Sequence, residues 1–247
     1  MNITGNTILI TGGTSGIGLG LAVRLHQAGN TVIVAGRRTA LLDTITSEYP
    51  GIDSVELDVA DPDSIARARA TLETSHPDLN VLVNNAGIQL PENPLDPSDV
   101  RLAEQHVTTN LLGPIRMAYA FTSLLAGKKA AAIVNVSSAL AFVPFPTTPT
   151  YSATKAALHS FTESQRIRLA ETGIQVVEIV PPGVQTELMG QQDSEHAMPL
   201  AEFLDQVLAL WEDNPDAQEL VVENARGIRD ATADGSYSQL LTMFSNI

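Results

Sequence analysis

Tyr151 and Lys155 stand four residues apart in the segment T-Y-S-A-T-K. On a helix that spacing stacks them one turn apart on one face, close enough for an ammonium to act on a phenol. By itself the pair reads most simply as an amphipathic helix surface. Ser138 changes the balance. It lies thirteen residues before the tyrosine, at the end of the apolar run 131–136, where a buried parallel strand releases its side chains into a crevice. A phenol that can exchange a proton, a hydroxyl that can hold an oxygen and a cation that biases the phenol toward phenolate would then face one another.

Such a set needs a scaffold that gathers strand ends. Short apolar runs alternate along the chain with helical patterns, the signature of a parallel sheet covered on both faces. Strands are expected at 7–11, 31–35, 55–57, 80–83, 131–136, 174–180 and 219–223. Helices are expected at 17–28, from near Pro62, at 98–125, from the Tyr151 segment to 172, at 200–212, and briefly near Tyr237, Leu240, Leu241 and Phe244. Pro114 inside the 98–125 helix removes a backbone hydrogen bond, so a kink or local opening is expected near Asn110. The predicted fold class is α/β, a doubly wound Rossmann-type parallel sheet with helices on both faces, forming a single domain over 1–247. After the first strand, Gly12, Gly16 and Gly18 make a T-G-x-x-x-G-x-G turn. Its glycines let backbone approach a pyrophosphate, and the free N–H groups and dipole of the following helix favour that negative charge. Residues 88–97 carry three prolines and read as an irregular loop at a cleft mouth; 187–199 is polar and helix-poor, and 187–212 is expected to act as a substrate lid.

T-G-G-T-S-G-I-G at 11–18, N-N-A-G at 84–87, and Ser138 followed by Tyr151-x-x-x-Lys155 occur in the order found in the short-chain dehydrogenase/reductase family, which the chain resembles from about residue 5 to about residue 190. The resemblance implies reversible hydride transfer between a nicotinamide and a carbonyl or secondary alcohol, with Asn110, Ser138, Tyr151 and Lys155 as the catalytic set and Asn110 positioning a water. It implies cofactor contacts at Gly12, Thr14, Ser15, Gly16, Ile17 and Gly18, at Asp58 and Val59 near the adenine, at Asn84, Ala86 and Gly87, at Tyr151 and Lys155, and at Pro181, Gly183, Val184 and Thr186. Asp58 could equally cap the helix near Pro62. Pro182 departs from the family pattern by standing where glycine is common, which leaves Thr186 in register. Arg37 and Arg38 leave the second strand where an acid would take the ribose hydroxyls of NAD and an arginine accommodates the 2′-phosphate, so NADP(H) is expected to be preferred over NAD(H).

Composition narrows the partners. Lys plus Arg number 14 against 28 Asp plus Glu, a net charge of −14, which argues against nucleic-acid or anionic-membrane surfaces. The absence of cysteine excludes a thiol nucleophile or a disulfide framework. Five scattered histidines, at 26, 76, 106, 159 and 196, give no expected metal site. With no basic n-region, h-region or membrane-length apolar run, a cytoplasmic location is expected. Ile88, Leu90, Leu140, Phe142, Pro144, Phe145, Leu188 and Met189 are available for a largely apolar pocket, pointing to reduction of a small-molecule ketone. The alternative is a dinucleotide-binding redox sensor or scaffold without turnover; such relatives commonly lose the Tyr or Lys, and this chain retains both. The helices from near 98 and 150 resemble those that pair across the family's dimer axis, with Leu102, Val107, Leu158, Phe161 and Ile167 on their outer faces, so a homotetramer, or else a homodimer, is expected.

Overall fold

The structure is a computed structural model and describes residues 2–246. Seven strands, β1 (Thr7–Thr11), β2 (Thr31–Gly36), β3 (Ile52–Glu56), β4 (Val81–Asn84), β5 (Ala132–Val136), β6 (Gln175–Val180) and β7 (Glu219–Val221), form one sheet in the order β3-β2-β1-β4-β5-β6-β7. Every pairing is parallel. Strand order reverses between β1 and β4, and a crevice opens outside the carboxyl ends of the strands at such a point. β3 begins earlier than its apolar run because it is an edge strand: Ile52 is buried, but Asp53 and Ser54 face water and carry no hydrophobic signal.

The helices are α1 (Gly16–Gln27), α2 (Thr39–Glu48), α3 (Pro62–Ser75), α4 (Val100–His106), α5 (Gly113–Leu125), α6 (Pro149–Leu169), α7 (Leu200–Asp213), α8 (Glu223–Arg229), α9 (Ala231–Asp234) and α10 (Tyr237–Phe244). Alternation along β1 sends Ile8 and Ile10 into a core shared with α1, α2 and α7, and Leu9 into a second core shared with α3 and α5. Both faces are thus covered, which is why the central strands read as continuous apolar runs.

Three local outcomes bear on the site. The expected 98–125 helix is divided into α4, a π-helical turn (Val107–Leu112) and α5, with the opening around Asn110 where Pro114 withholds its N–H. Asp61, not Asp58, caps α3: its carboxylate accepts from Asp63 N at 2.9 Å, while Asp58 accepts from Ala60 N at 2.9 Å. Helix α7 buries Phe203, Leu204, Val207 and Trp211 in the core, so the 200–212 half of the expected lid is fixed scaffold. A side-chain carbon on Gly20 of α1 would come within 2.3 Å of Leu204, showing how closely α7 seats on α1.

Candidate active site

A cleft of about 590 Å³ runs across the carboxyl ends of the central strands. At one end the glycine turn shapes it. Gly12 and Gly16 adopt φ of 64° and 53°, the left-handed region that glycine enters without a Cβ penalty. A Cβ on Gly18 would lie 2.3 Å from Gly12 O and 2.4 Å from Asn85 Nδ2, so Gly18 serves the packing of turn on strand and does not itself line the cleft. Ser15 caps α1 in extended geometry without a side-chain capping bond, and no acid occupies the first turn. The opening N–H groups of α1 and its positive dipole end therefore stand available to an anion. Thr14, Ser15, Gly16 and Ile17 line the cleft, followed by Arg37 and Arg38 beyond β2; Arg38 Nη2 donates to Thr14 Oγ1 at 3.2 Å. Asp58 and Val59 form the adjoining wall.

The N-N-A-G segment divides its labour differently from the expectation. Asn84 is buried within the sheet, where its Nδ2 donates to Asn135 Oδ1 at 2.9 Å, and it does not line the cleft. Asn85 does, and it ties β4 to β1 by donating from N to Thr11 Oγ1 and from Nδ2 to Thr11 O, each at 3.0 Å. Ala86 and Gly87 follow along the cleft floor.

At the other end, Ser138 leaves β5 in extended geometry, and α6 brings Tyr151 and Lys155 over it. Lys155 Nζ donates to Val136 O at 2.8 Å and lies 5.6 Å from the centre of the Tyr151 ring. Burial pushes the Tyr151 phenol up to about 12, with the Ser138 side chain acting the other way as a hydrogen-bond partner. Burial also pulls the Lys155 ammonium down to about 8, opposed by the charge of Glu178. Desolvation of the ring dominates, so the phenol stands above its ordinary value.

Asn110 is buried behind the wall, not on it. Its amide is committed to the backbone of Ile88, donating to Ile88 O at 2.8 Å and accepting from Ile88 N at 2.9 Å. A Cβ on Gly87 would sit 3.4 Å from Asn110 Oδ1 and 3.8 Å from Lys155 Nζ, which brings both side chains against that glycine. One turn earlier, His106 is fully buried, accepts from Leu90 N through Nε2 at 3.0 Å and stands edge-on to Tyr151. The two residues hold the start of the 88–97 loop, and Glu92 pins the same loop to the start of α6 through Thr150 N and Oγ1 at 3.2 and 2.6 Å.

Past Val180, Pro181 O accepts from Ala139 N at 2.8 Å, and Val184 forms a parallel bridge with Met198. Pro182 itself lines the cleft. Thr186 stays beside the glycine turn, its Cγ2 3.3 Å from the place of a Gly16 Cβ. Pro181, Gly183, Val184 and Thr186 all line the cleft.

Of the expected pocket residues, Ile88, Leu140, Phe145, Leu188 and Met189 line the cleft, whereas Leu90, Phe142 and Pro144 do not. Phe142 packs instead between the His159 ring, 4.8 Å away, and the Arg229 guanidinium, 4.7 Å away. Sequence reasoning missed Ile228 and Phe244 as lining residues; Phe244 stands edge-on to Phe145 at 5.7 Å. The apolar pattern of the last helix was its one signal. His159 is also less isolated than its spacing implied: it gathers with Glu178 and Glu219, ligand-type atoms lying within 4.8 Å of one another. Most of these atoms are engaged with one another or with Arg229: His159 Nδ1 pairs with Glu178 Oε2 at 2.8 Å and Arg229 grips both oxygens of Glu219 at 2.8 and 3.0 Å, while Glu178 Oε1 meets no donor among the described residues. Leu158, expected on an outer face, is core.

Residues 6–197 match the family described as short chain dehydrogenase. Over 238 residues the chain is 37% identical to the uncharacterized oxidoreductase DltE of Bacillus subtilis, covering 94% of each chain. Over 241 residues it is 32% identical to an NADPH-dependent 1-acyldihydroxyacetone phosphate reductase of Schizosaccharomyces pombe, covering 95% of this chain and 78% of that one. A crystal structure of a short chain dehydrogenase from Burkholderia cenocepacia in complex with NADP superposes with a TM-score of 0.85 at 29% identity, covering 98% of this chain and 99% of the other. Since the family match reaches from β1 through the glycine turn, Ser138, Tyr151 and Lys155 to Ala197, the chain belongs to the short chain dehydrogenase family of oxidoreductases.

Proposed function

We propose that the protein transfers a hydride between NADP(H) and a carbonyl or secondary alcohol, working chiefly as a reductase of a largely apolar small-molecule ketone. The observation that carries this reading is the placement of Tyr151, Lys155 and Ser138 at one end of a cleft whose other end holds Arg37 and Arg38. The NADPH dependence of one relative and the NADP bound in one structural neighbour support the same choice.

The donor set fits a dinucleotide. Gly12, Thr14, Ser15, Gly16 and Ile17 offer backbone N–H groups and hydroxyls to a pyrophosphate, with Gly18 keeping the turn tight from behind. Arg37 and Arg38 offer guanidinium to a 2′-phosphate, which an acid at that strand end would repel. Asp58 and Val59 border the adenine side, and Ala86, Gly87, Lys155, Pro181, Gly183, Val184 and Thr186 border the path to the nicotinamide. When bound, the nicotinamide supplies or accepts the hydride.

The chain's own groups manage the proton and the oxygen. A phenol with a pKa of about 12 is protonated at neutral pH, so Tyr151 can give its proton to the alkoxide oxygen that develops when a carbonyl carbon is reduced. The Ser138 hydroxyl holds that oxygen, and the Lys155 ammonium faces the phenolate left behind. By microscopic reversibility the same side chain would take up the proton in alcohol oxidation. Asn110 acts by fixing Ile88 and backing Gly87. Ile88, Leu140, Phe145, Leu188, Met189 and Phe244 make the substrate end apolar, and 187–198 serves as its lid.

The homo-oligomer contact is assigned to exposed apolar residues of this region, Val107 and Leu112 in the π turn, Tyr119 on α5 and Ile167 on α6; light scattering giving only a monomer at assay concentrations would remove that part. No helix among the described residues is long and apolar enough to cross a membrane. The function itself is tested by NADPH oxidation against a panel of aliphatic and aryl ketones: turnover of bulky apolar ketones is expected, and cofactor binding without turnover of any ketone would favour a non-catalytic dinucleotide binder.

A further inference from the structure

Across the sheet face covered by α6, four polar residues lie in register on adjacent strands: Asn84, Asn135, Glu178 and Glu219. Asn135 and Glu219 have partners for both side-chain polar atoms, whereas Asn84 Oδ1 and Glu178 Oε1 each lack a donor among the described residues. Asn84 donates to Asn135, Asn135 donates to Thr162 Oγ1 and Gln165 Oε1 of α6, and Glu219 is held by both arms of Arg229. Of the two that lack a donor, Glu178 is the one that carries a charge. It is 0% exposed, its Oε2 pairs with His159 Nδ1 at 2.8 Å, and its Oε1 meets no hydrogen-bond donor among the described residues. A buried carboxylate oxygen without a donor is costly, and purely structural packing would have been served more cheaply by an amide or an apolar residue.

What faces this carboxylate explains its charge. Tyr151, Lys155 and His159 succeed one another at four-residue spacing on α6, so they form one row on the face turned to the sheet. Lys155 Nζ is anchored to Val136 O, and Val136 is paired with Ile179, the neighbour of Glu178, while Glu178 itself is paired with Asn135. The other charged groups around it are His159 and, beyond it, Glu163 on α6, Glu219 on β7, Arg229 on α8 and Asp230 after it. Arg229 is engaged by Glu219, and Glu163 and Asp230 are largely exposed. The cationic groups around Glu178 are the half-buried His159, which pairs with it directly, Arg229, whose hydrogen bonds go to Glu219, and Lys155, the one that is fully buried.

We propose that Glu178 is a positioning residue for the reaction: the buried counter-ion that keeps the Lys155 ammonium charged beneath Tyr151, itself held in place by His159. The opposing influence of Glu178 on the desolvated Lys155 agrees with this arrangement. So does the upward push on His159, caused first by its hydrogen bond to Glu178. Glu178 does not itself line the cleft. It acts through Lys155, and this inference rests on the role given to Lys155 in the proposed function.

The test replaces Glu178 by Gln, which keeps the shape and can still accept from His159 but removes the charge. NADPH affinity is titrated by nicotinamide fluorescence from pH 6 to pH 9.5 in parent and variant, a readout that needs no knowledge of the ketone. In the parent, affinity should weaken as Lys155 deprotonates near pH 8. In Glu178→Gln that alkaline limb should move down by about one pH unit, with affinity at pH 6 unchanged. A folded variant with the parent's pH profile would overturn the inference while leaving the dinucleotide reading intact; a parent that binds no NADPH at any pH would overturn both. If Glu178→Gln does not fold, His159→Gln decides. It retains the carboxylate and an amide donor but deletes the imidazolium, so the limb should stay in place or move up, and a fall would refute the assignment.

Discussion

Replacing Lys155 by Met should make the protein more stable while removing its activity. The lysine is buried and its ammonium is pulled from 10.5 to about 8 by desolvation, which corresponds to about 3 kcal/mol spent on holding the charge inside at neutral pH. Methionine has a similar length and no charge, but it leaves Val136 O, which now accepts from Nζ at 2.8 Å, without its donor. That loss offsets about 1 kcal/mol. A net gain of about 2 kcal/mol remains, or roughly 5 °C in Tm for a chain of this size. The sign with pH follows from the depressed folded pKa of a base. Between about pH 8 and pH 10.5 the unfolded chain binds the extra proton, so the parent gains relative stability as pH rises through that window. The advantage of Lys155→Met should therefore be complete at pH 7 and mostly gone at pH 10. Thermal unfolding of both proteins without added cofactor, at pH 7 and pH 10, measures it directly. A variant that melts below the parent at pH 7, or a difference that does not change with pH, would refute the picture of a buried, energetically expensive ammonium.

The remaining predictions concern the cofactor end of the cleft. Arg37→Ala with Arg38→Ala should erase most of the preference for NADPH, about ten- to a hundredfold in affinity, and leave NADH turnover nearly unchanged; the ratio of kcat/KM for the two cofactors in each protein decides, and a parent that prefers NADH would contradict the reading. Gly18→Ala should lower Tm and weaken dinucleotide binding together, since its Cβ would stand 2.3 Å from the backbone oxygen of Gly12 and overpacking of that kind costs about 1–3 kcal/mol. Gly29→Ala is its control: no atom lies near a Cβ there, although φ is 88°, so it should lose a little stability and no affinity.

The central sheet was legible because its strands are buried on both faces and leave unbroken apolar runs, as at Ile8 to Ile10 and Ile133 to Val134. Tyr151, Lys155 and Ser138 were legible because helix period and strand end fix their direction before any tertiary contact is known. Gly18 and Asn84 show where that logic stops: sequence spacing says that a residue belongs to a motif, but not whether it faces the cleft or supports the wall. The partners of His106, Asn110 and Glu178 were not legible, since each lies far away in sequence, at Leu90, Ile88 and His159. Phe244 reaches the cleft only because α8, α9 and α10 fold the C-terminal segment back over it. α8 and α9 bury little beyond Ala225 and Ala231, and α10 is amphipathic but buries no residue, so its apolar stripe did not say which surface it would cover.

The most direct measurement is ketone-dependent NADPH oxidation by Tyr151→Phe, paired with an NADPH binding titration on the same protein. The phenylalanine ring fills the buried place of Tyr151 but has no proton to give. Binding should therefore stay within about twofold of the parent, a difference of roughly 0.4 kcal/mol, while turnover falls by at least about a hundredfold, the usual minimum contribution of a general acid. Near-parental turnover with intact binding would contradict the assignment of Tyr151 as the proton donor.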